Sequence, residues 1–361
     1  MANKWLKQLR AYDDAVNYEY DSFAAENCLY TPSPYVNWIF ANKSHGVPKN
    51  ASVLWFSEPK AGKSLSCYAM VLEMQRRDDA LIKAGKMKPE EARHAIYFNT
   101  ELRGQLQHGV FPEIDQERLH IYDTNEPKEI FDRVEIDIKA YVQDGLPLGM
   151  IVIDSLNNII GVKRQAAESV ENHLIGDKAL TLQTGLEKLI PFCKKNKIFL
   201  AATAQIRGNL DGGYNAPKEK MAATWASKFA FEYYISLKRA GSADDKMDIE
   251  GKTFEDEDIK DARGNKLLNG HKIYAKMEQS SLGPQGRAGV FTVDYEKGIV
   301  NQHEEIFFLG KNTNVISMRG SRFYGFGGKE WGSKAECAQA IKEDPKLAKA
   351  ILDAVKKLDE K

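Results

Sequence analysis

Short apolar runs recur along the chain at wide intervals. Val53-Leu54-Trp55-Phe56, Ala95-Ile96-Tyr97-Phe98, Leu119-His120-Ile121-Tyr122, Met150-Ile151-Val152-Ile153 and the run 198–204 are all of strand length and carry almost no polar positions. A run without a polar face suits a strand covered by helices on both sides. Helical patterns separate these runs. They cover 35–41, 64–77, a charged stretch 80–93 with Pro89 near a helix start, and 177–196. In 127–143, Ile130, Val134, Ile138 and Val142 repeat in steps of four. Strands alternating with helices predict an α/β fold with a mostly parallel sheet.

The pattern changes after residue 230. Residues 231–239 read as a strand, 240–269 as an acidic excursion forming a surface hairpin or loop, and 271–278 and 290–295 as strands turning near Gly283-Pro284. From 301 the chain becomes Gly-rich and aromatic, then helical over 333–342 and 344–358, which predicts a small C-terminal α+β domain. At the other end, Trp5, Leu6, Leu9, Tyr12, Val16, Tyr18 and Tyr20 lie among charges. They predict a helix and arm that pack on the same subunit or dock on a neighbour. The expected division is an N-terminal oligomerisation arm (1–34), a core (35–300) and a C-terminal domain (301–361).

Composition narrows the function classes. The 361 residues include 51 Lys plus Arg against 51 Asp plus Glu, so the chain lacks the overall basic footprint of many nucleic-acid binders. A nucleic-acid site must then be local, or built by several subunits. No apolar run approaches the roughly 20 residues of a membrane span, and the polar start MANKWLKQLR is unlike a secretory signal. A cytoplasmic protein with no membrane partner is expected. Cys28, Cys67, Cys193 and Cys337 are scattered, as are the seven His residues, so reduced thiols and no zinc site are expected.

Chemistry concentrates where the first run ends, in VLWFSEPKAGKSLSC. A strand leads into the turn Ser57-Glu58-Pro59-Lys60-Ala61, and Gly62-Lys63-Ser64-Leu65 opens a helical segment. Backbone N–H groups at a helix N-terminus can surround phosphate oxygens, Lys63 adds a point charge, and the Ser64 hydroxyl can hold Mg²⁺. Ser57 stands where G-x-x-x-x-G-K-[ST] begins with Gly. A non-Gly residue there avoids positive φ, so the loop entrance should differ in shape. A chance GKS after a strand is the competing reading, opposed by the flanking strand and helix. Glu101 follows the 95–98 run, where ligands bind in open α/β sheets, and is the candidate water-activating base. A solvated loop acid or a helix cap is the plain alternative for it. Asp154 ends the 150–153 run at the position that organises Mg²⁺ in phosphate-loop ATPases. The stretch 161–175 holds Lys163 and Arg164, and 208–223, with three Gly, Tyr214, Lys218 and Lys220, is too long for a routine connection.

The order of these features resembles the RecA family of recombinases, in particular its phage branch, often called UvsX-like. SEPKAGKS is similar to the family's nucleotide loop, YFNTE to the strand carrying its catalytic glutamate, and IVIDSLNNI to its aspartate-bearing strand. ATAQIR is similar to its Asn-Gln-Ile-Arg signature, and RFYGFGGKEWGSKAECAQAIKEDPKLAKAI to its small terminal domain. The likeness spans 35–358. It implies a RecA-type P-loop ATPase core that binds ATP and Mg²⁺ through residues 57–65, with Lys63 and Ser64 on phosphate and metal and Asp154 supporting the metal. Glu101 would activate water, and Gln205 would sense the γ-phosphate. It further implies that 161–175 and 206–223 face DNA, which makes Lys163, Arg164, Arg207, Tyr214, Lys218 and Lys220 the candidate DNA contacts. Tyr214 either stacks on a base or anchors its loop.

The implied activity is filament formation on single-stranded DNA, pairing with double-stranded DNA and strand exchange, in a phage host's cytoplasm if phage-encoded, with single-strand-binding and loader proteins as further partners. In such filaments a neighbouring subunit supplies two cations to the nucleotide. The matching stretch here is Glu278-Gln279-Ser280-Ser281, with Lys272, Lys276 and Arg287 as the cations nearby. Two alternatives share the phosphate loop: a hexameric helicase motor, and a scaffold that binds DNA under ATP control with little hydrolysis.

Overall fold

The computed structural model describes residues 21–102, 111–166, 176–208, 219–221, 230–240, 248–249, 255–260, 266–320 and 322–360. The N-terminal helix expected before residue 21 therefore lies outside the described residues. Nine strands form the main sheet: β1 Ser52–Ser57, β2 His94–Asn99, β3 Leu119–Asp123, β4 Leu148–Asp154, β5 Phe199–Gly208, β6 Tyr233–Arg239, β7 Gly270–Ser280, β8 Ala288–Asp294 and β9 Gly298–Val300. Their spatial order is β9-β8-β7-β6-β1-β5-β4-β2-β3, and a short strand, Glu219–Met221, pairs with the end of β5. Every pairing from β6 through β1, β5, β4 and β2 to β3 is parallel, and those joining β6 to β9 are antiparallel. The fold is α/β, as the alternation of strand and helix patterns predicts, and is consistent with a RecA-type core.

The central strands are covered on both faces, and side chains divide between the faces by strand periodicity. Val53, Trp55, Met150 and Val152 join one cluster with Met70, Val71 and Met74 of helix α2 (Lys63–Lys83). Leu54, Ile151 and Ile153 join another with Leu182, Leu186 and Leu189 of helix α3 (Asp177–Lys195) and with the helical stretch 128–143. A Cβ on Gly185 would lie 2.5 Å from the Phe131 ring, so glycine permits the close approach of α3 to that stretch.

Two helical patterns resolve differently from the reading above. The 80–93 stretch divides in two, because α2 continues to Lys83 and a separate 3₁₀ turn, Pro89–Glu91, starts at Pro89. Gly85, at φ 66°, ends α2 with the bonds Lys86 N–H to Leu81 O and Gly85 N–H to Ile82 O. Ala, Leu, Ile and Lys all tolerate helix, so nothing before Gly85 interrupts α2. Residues 128–143 are helical, but most of the stretch is wound wider than an α-helix. A strict four-residue repeat rotates about 40° per step on an α-helix of 3.6 residues per turn. Wider turns reduce that drift and keep Ile130, Val134 and Ile138 buried together.

Near the N-terminus, Cys28–Leu29 pairs with Val47–Pro48 and is buried, and helix α1 (Pro34–Ile39) follows. The four cysteines are buried free thiols. In the 240–269 excursion, Glu255–Lys260 and Lys266–Leu268 form an antiparallel pair. After β9 come helix α4 (Gln302–Asn312), a three-stranded antiparallel sheet over 317–331, and helices α5 (Lys334–Glu343) and α6 (Pro345–Lys356). Ser333 and Asp344 cap the last two helices, accepting from Glu336 N–H (3.1 Å) and from Lys346 N–H (3.0 Å). Phe307, Ile316, Cys337, Ile341 and Ile351 form this region's own cluster, and Leu309 and Val355 pack on Tyr35 of α1.

Candidate active site

Four neighbouring strands, β1, β5, β4 and β2, bring their carboxyl ends side by side. Ser57 of β1 is in register with Gln205 of β5, and Asn99 of β2 with Asp154 of β4. Ligands of open parallel sheets bind at such an edge. Every residue proposed above for phosphate, metal or water lies on it.

The loop leaves β1 at Ser57 and enters α2 at Lys63. Ser57 keeps ordinary backbone angles, and the left-handed positions are Lys60 (φ 64°) and Gly62 (φ 85°). Gly62 suits its left-handed angles, and a Cβ there would lie 2.4 Å from Ile273 Cδ1, so the tip of that side chain would have to shift. The N-terminus of α2 carries no side-chain cap and no acid in its first turn. The N–H groups and dipole of this 21-residue helix therefore favour an anion or water. Lys63, only 6 % exposed, donates through Nζ to Ser57 Oγ at 2.9 Å and Glu58 O at 3.0 Å. Burial pulls its pKa below the ordinary lysine value, while the charges of Asp154 and Glu101 act in the opposite direction.

Asp154 is 4 % exposed and both of its carboxylate oxygens are held. Tyr97 donates to Oδ2 at 2.6 Å and the Thr203 hydroxyl donates to Oδ1. Its backbone is also fixed. Thr100 N–H donates to Asp154 O at 2.8 Å, Ser155 N–H donates to Thr100 Oγ1 at 2.7 Å, and the Asp154–Ser155 peptide is cis. Gln205 anchors its own N–H on Asn157 Oδ1 at 2.6 Å and donates from Nε2 to Glu101 Oε1 at 3.1 Å. The candidate base and the candidate phosphate sensor thus touch.

The donor set fits a magnesium nucleotide. An ammonium and open helix N–H groups suit phosphate, and the Ser64 hydroxyl and Asp154 carboxylate are the hard oxygen donors Mg²⁺ prefers. Ser155 Oγ, buried without a hydrogen-bond partner beside Asp154, fits a hydrated group at this edge.

The candidate DNA contacts separate into three groups. Lys163 and Arg164 are exposed on the single turn Val162–Gln165, with their N–H groups held by the Asp177 carboxylate at 3.2 and 3.0 Å. Arg207 lies directly across from Lys220 in the ribbon that extends β5. Tyr214 and Lys218 lie outside the described residues. Of the cations near Glu278, Lys276 pairs with Glu278 itself at 2.7 Å. Arg287 stacks on Trp38 and pairs with Asp359.

Tyr97, Thr100, Asn157 and Thr203 hold the site together and went unread in the sequence. Thr203 gave a signal, as a hydroxyl between Ala202 and Ala204 in an otherwise apolar run. A buried hydroxyl needs a partner, and the adjacent strand end supplies Asp154.

No known family's sequence model matches the chain. It is 23% identical to the protein RecA of Paracoccus denitrificans over 316 residues, 86% of this chain and 76% of that protein. It is 21% identical to the protein RecA of Campylobacter hominis over 313 residues, covering 86% and 78%. A shorter match, 24% over 208 residues, joins 57% of this chain to 53% of the protein RecA of Methylococcus capsulatus. These likenesses support a RecA-type relationship over most of the chain.

Proposed function

We propose that this protein is a RecA-like, ATP-dependent DNA recombinase that assembles filaments on single-stranded DNA and exchanges strands with a duplex. The observation that carries the reading is the Glu101–Gln205 hydrogen bond at the phosphate-loop edge. It links the residue placed to activate water with the residue that opens the ribbon pairing Arg207 with Lys220. Each strand of that ribbon carries a cationic residue, the chemistry that a phosphate chain calls for.

Bound ATP would supply the phosphoryl group, with Mg²⁺ offsetting its charge. Lys63 and the N-terminus of α2 hold phosphate oxygens, while Ser64 and Asp154 face the metal. Glu101 accepts the proton of the attacking water. Gln205 donates either to a γ-phosphate oxygen or to Glu101, so nucleotide state is communicated to the ribbon behind it. If ATP tightens DNA binding by this route, DNA tightens ATP binding by the same factor. Neutral net charge is compatible with the role, because a filament repeats a weak local cationic signal along the strand.

A second reading, an ATP-switched DNA scaffold with little turnover, is favoured by the lack of cations in Glu278–Ser281 and by the internal pairs of Lys276 and Arg287. ATP turnover with and without single-stranded DNA, measured beside negative-stain imaging, tests both. The recombinase gives DNA-stimulated turnover and helical filaments, and Glu101→Gln keeps the filaments while turnover falls roughly 10²- to 10⁴-fold. Filaments with negligible wild-type turnover select the scaffold. Closed rings select a helicase motor and overturn the proposal.

A further inference from the structure

Ser57 occupies the position where phosphate loops ordinarily begin with glycine, and it adds to the loop a hydroxyl that glycine lacks. It is fully buried and its backbone is unstrained, so nothing in the local conformation demands glycine there. Its Oγ donates to Glu58 O at 2.6 Å and accepts from Lys63 Nζ at 2.9 Å. The same ammonium donates to Glu58 O at 3.0 Å and reaches Ser57 O at 3.5 Å. An ammonium has three N–H donors. Two of them are well satisfied by the first two residues of the loop, and the Ser57 hydroxyl is one of those two acceptors.

We infer that Ser57 is a positioning residue for Lys63, whose hydroxyl competes with nucleotide phosphate for one donor of the ammonium and so weakens nucleotide binding. The inference rests on the phosphate-loop reading above. In nucleotide-free protein the Ser57 bond counts in full, because a lysine this buried has little water to turn to. In the nucleotide complex the β- and γ-phosphate oxygens contend for the same donors, and the Ser57 bond counts only in part. An interaction that stabilises the free form more than the bound form lowers affinity by that difference. A hydroxyl bonded to a charged donor makes a difference of about tenfold. Release of ADP, which still presents a β-phosphate to Lys63, is accelerated on the same grounds.

The test uses the full chain with Ser57→Ala, which deletes the hydroxyl, Ser57→Gly, which restores the usual loop residue, and Ser57→Thr, which keeps the hydroxyl. Binding of a fluorescent ADP analogue and the melting temperature with and without ADP are measured for each. Ala and Gly are expected to bind about tenfold tighter than wild type. They should melt lower without ADP and gain more from adding it, while Thr behaves as wild type. A merely structural hydroxyl would lower melting in both states and leave the gain from ADP unchanged. Equal or weaker ADP binding by both Ala and Gly overturns the role of Ser57. If wild type binds no ADP and gains nothing from it, the phosphate-loop reading itself has failed, which is a different result.

Discussion

Two carboxylates are buried almost equally in this molecule and are treated in opposite ways. Asp154, 4 % exposed at the end of β4, has one oxygen held by Tyr97 and the other by Thr203, with the Lys63 charge nearby. Glu305, 3 % exposed in the first turns of α4, accepts the Ser33 hydroxyl and Tyr35 N–H (3.1 Å) on Oε2, while Oε1 has no hydrogen-bond partner. Burial pushes the Glu305 pKa up to about 8. A buried anion needs both oxygens satisfied or a countercharge close by. Asp154 has both oxygens held by donors and a lysine charge close by. Glu305 is built to keep its proton, and it ties α4 to the start of α1.

The contrast can be tested most strongly by removing the proton-holding group. Between the ordinary glutamate value near 4.5 and about 8, folded Glu305 keeps a proton that the unfolded chain has lost. Folding stability therefore falls as pH rises through that window, and below it the loss is absent. Each pH unit is worth up to about 1.4 kcal/mol, so about 3 kcal/mol disappears between pH 5 and 8. Glu305→Gln cannot ionise, and its urea-unfolding free energy should lack this decline. A mutant whose stability declines as steeply as wild type across pH 5–8 would show that Glu305 ionises freely in the fold.

A smaller change should make Asp154 resemble Glu305. Tyr97→Phe deletes the donor to Oδ2 and leaves ring packing against Tyr68 in place. Losing a hydrogen bond to a buried charge costs about 1.5–3 kcal/mol. Tyr97→Phe should therefore lower both the urea-unfolding free energy and the affinity for magnesium nucleotide. A mutant that loses stability yet binds magnesium nucleotide as wild type does would mean that Tyr97 serves packing alone.

The two carboxylates also mark how far the sequence could be read. The place of Asp154 was legible because an apolar run closed by an acid marks the end of a buried strand. The parallel sheet was legible for the same reason: β1, β4 and β5 are apolar without alternation. What holds Asp154 was not legible, since Tyr97 and Thr203 lie 57 and 49 residues away and meet it only across strands whose order the sequence does not state. The Ser57–Lys63 bond depends on a loop conformation, with its left-handed turn at Lys60, that composition does not dictate. Glu305 left no signal at all. Both Glu304 and Glu305 are buried in the first turn of α4, and only the docking of α4 on α1 brings Glu305 the Ser33 and Tyr35 donors.

The finest distinction concerns the donors on Glu305 Oε2. Ser33 donates to that oxygen and also caps α1 by accepting from Val36 N–H at 3.0 Å, so Ser33→Ala removes two interactions at once. Loss of the cap costs about 1 kcal/mol and does not depend on pH. Loss of the bond to Glu305 does depend on pH, because a hydroxyl donor favours the charged carboxylate. Without it the Glu305 pKa rises further, and the folded chain holds its proton to still higher pH. The stability deficit of Ser33→Ala should therefore be cap-sized at pH 5, where Glu305 is protonated in the folded chain with or without Ser33. It should grow by about 1 kcal/mol by pH 9, where wild type alone can draw on the donor. Urea unfolding of wild type and mutant at the two pH values separates the parts. Equal deficits at both would leave Ser33 as a cap and nothing more.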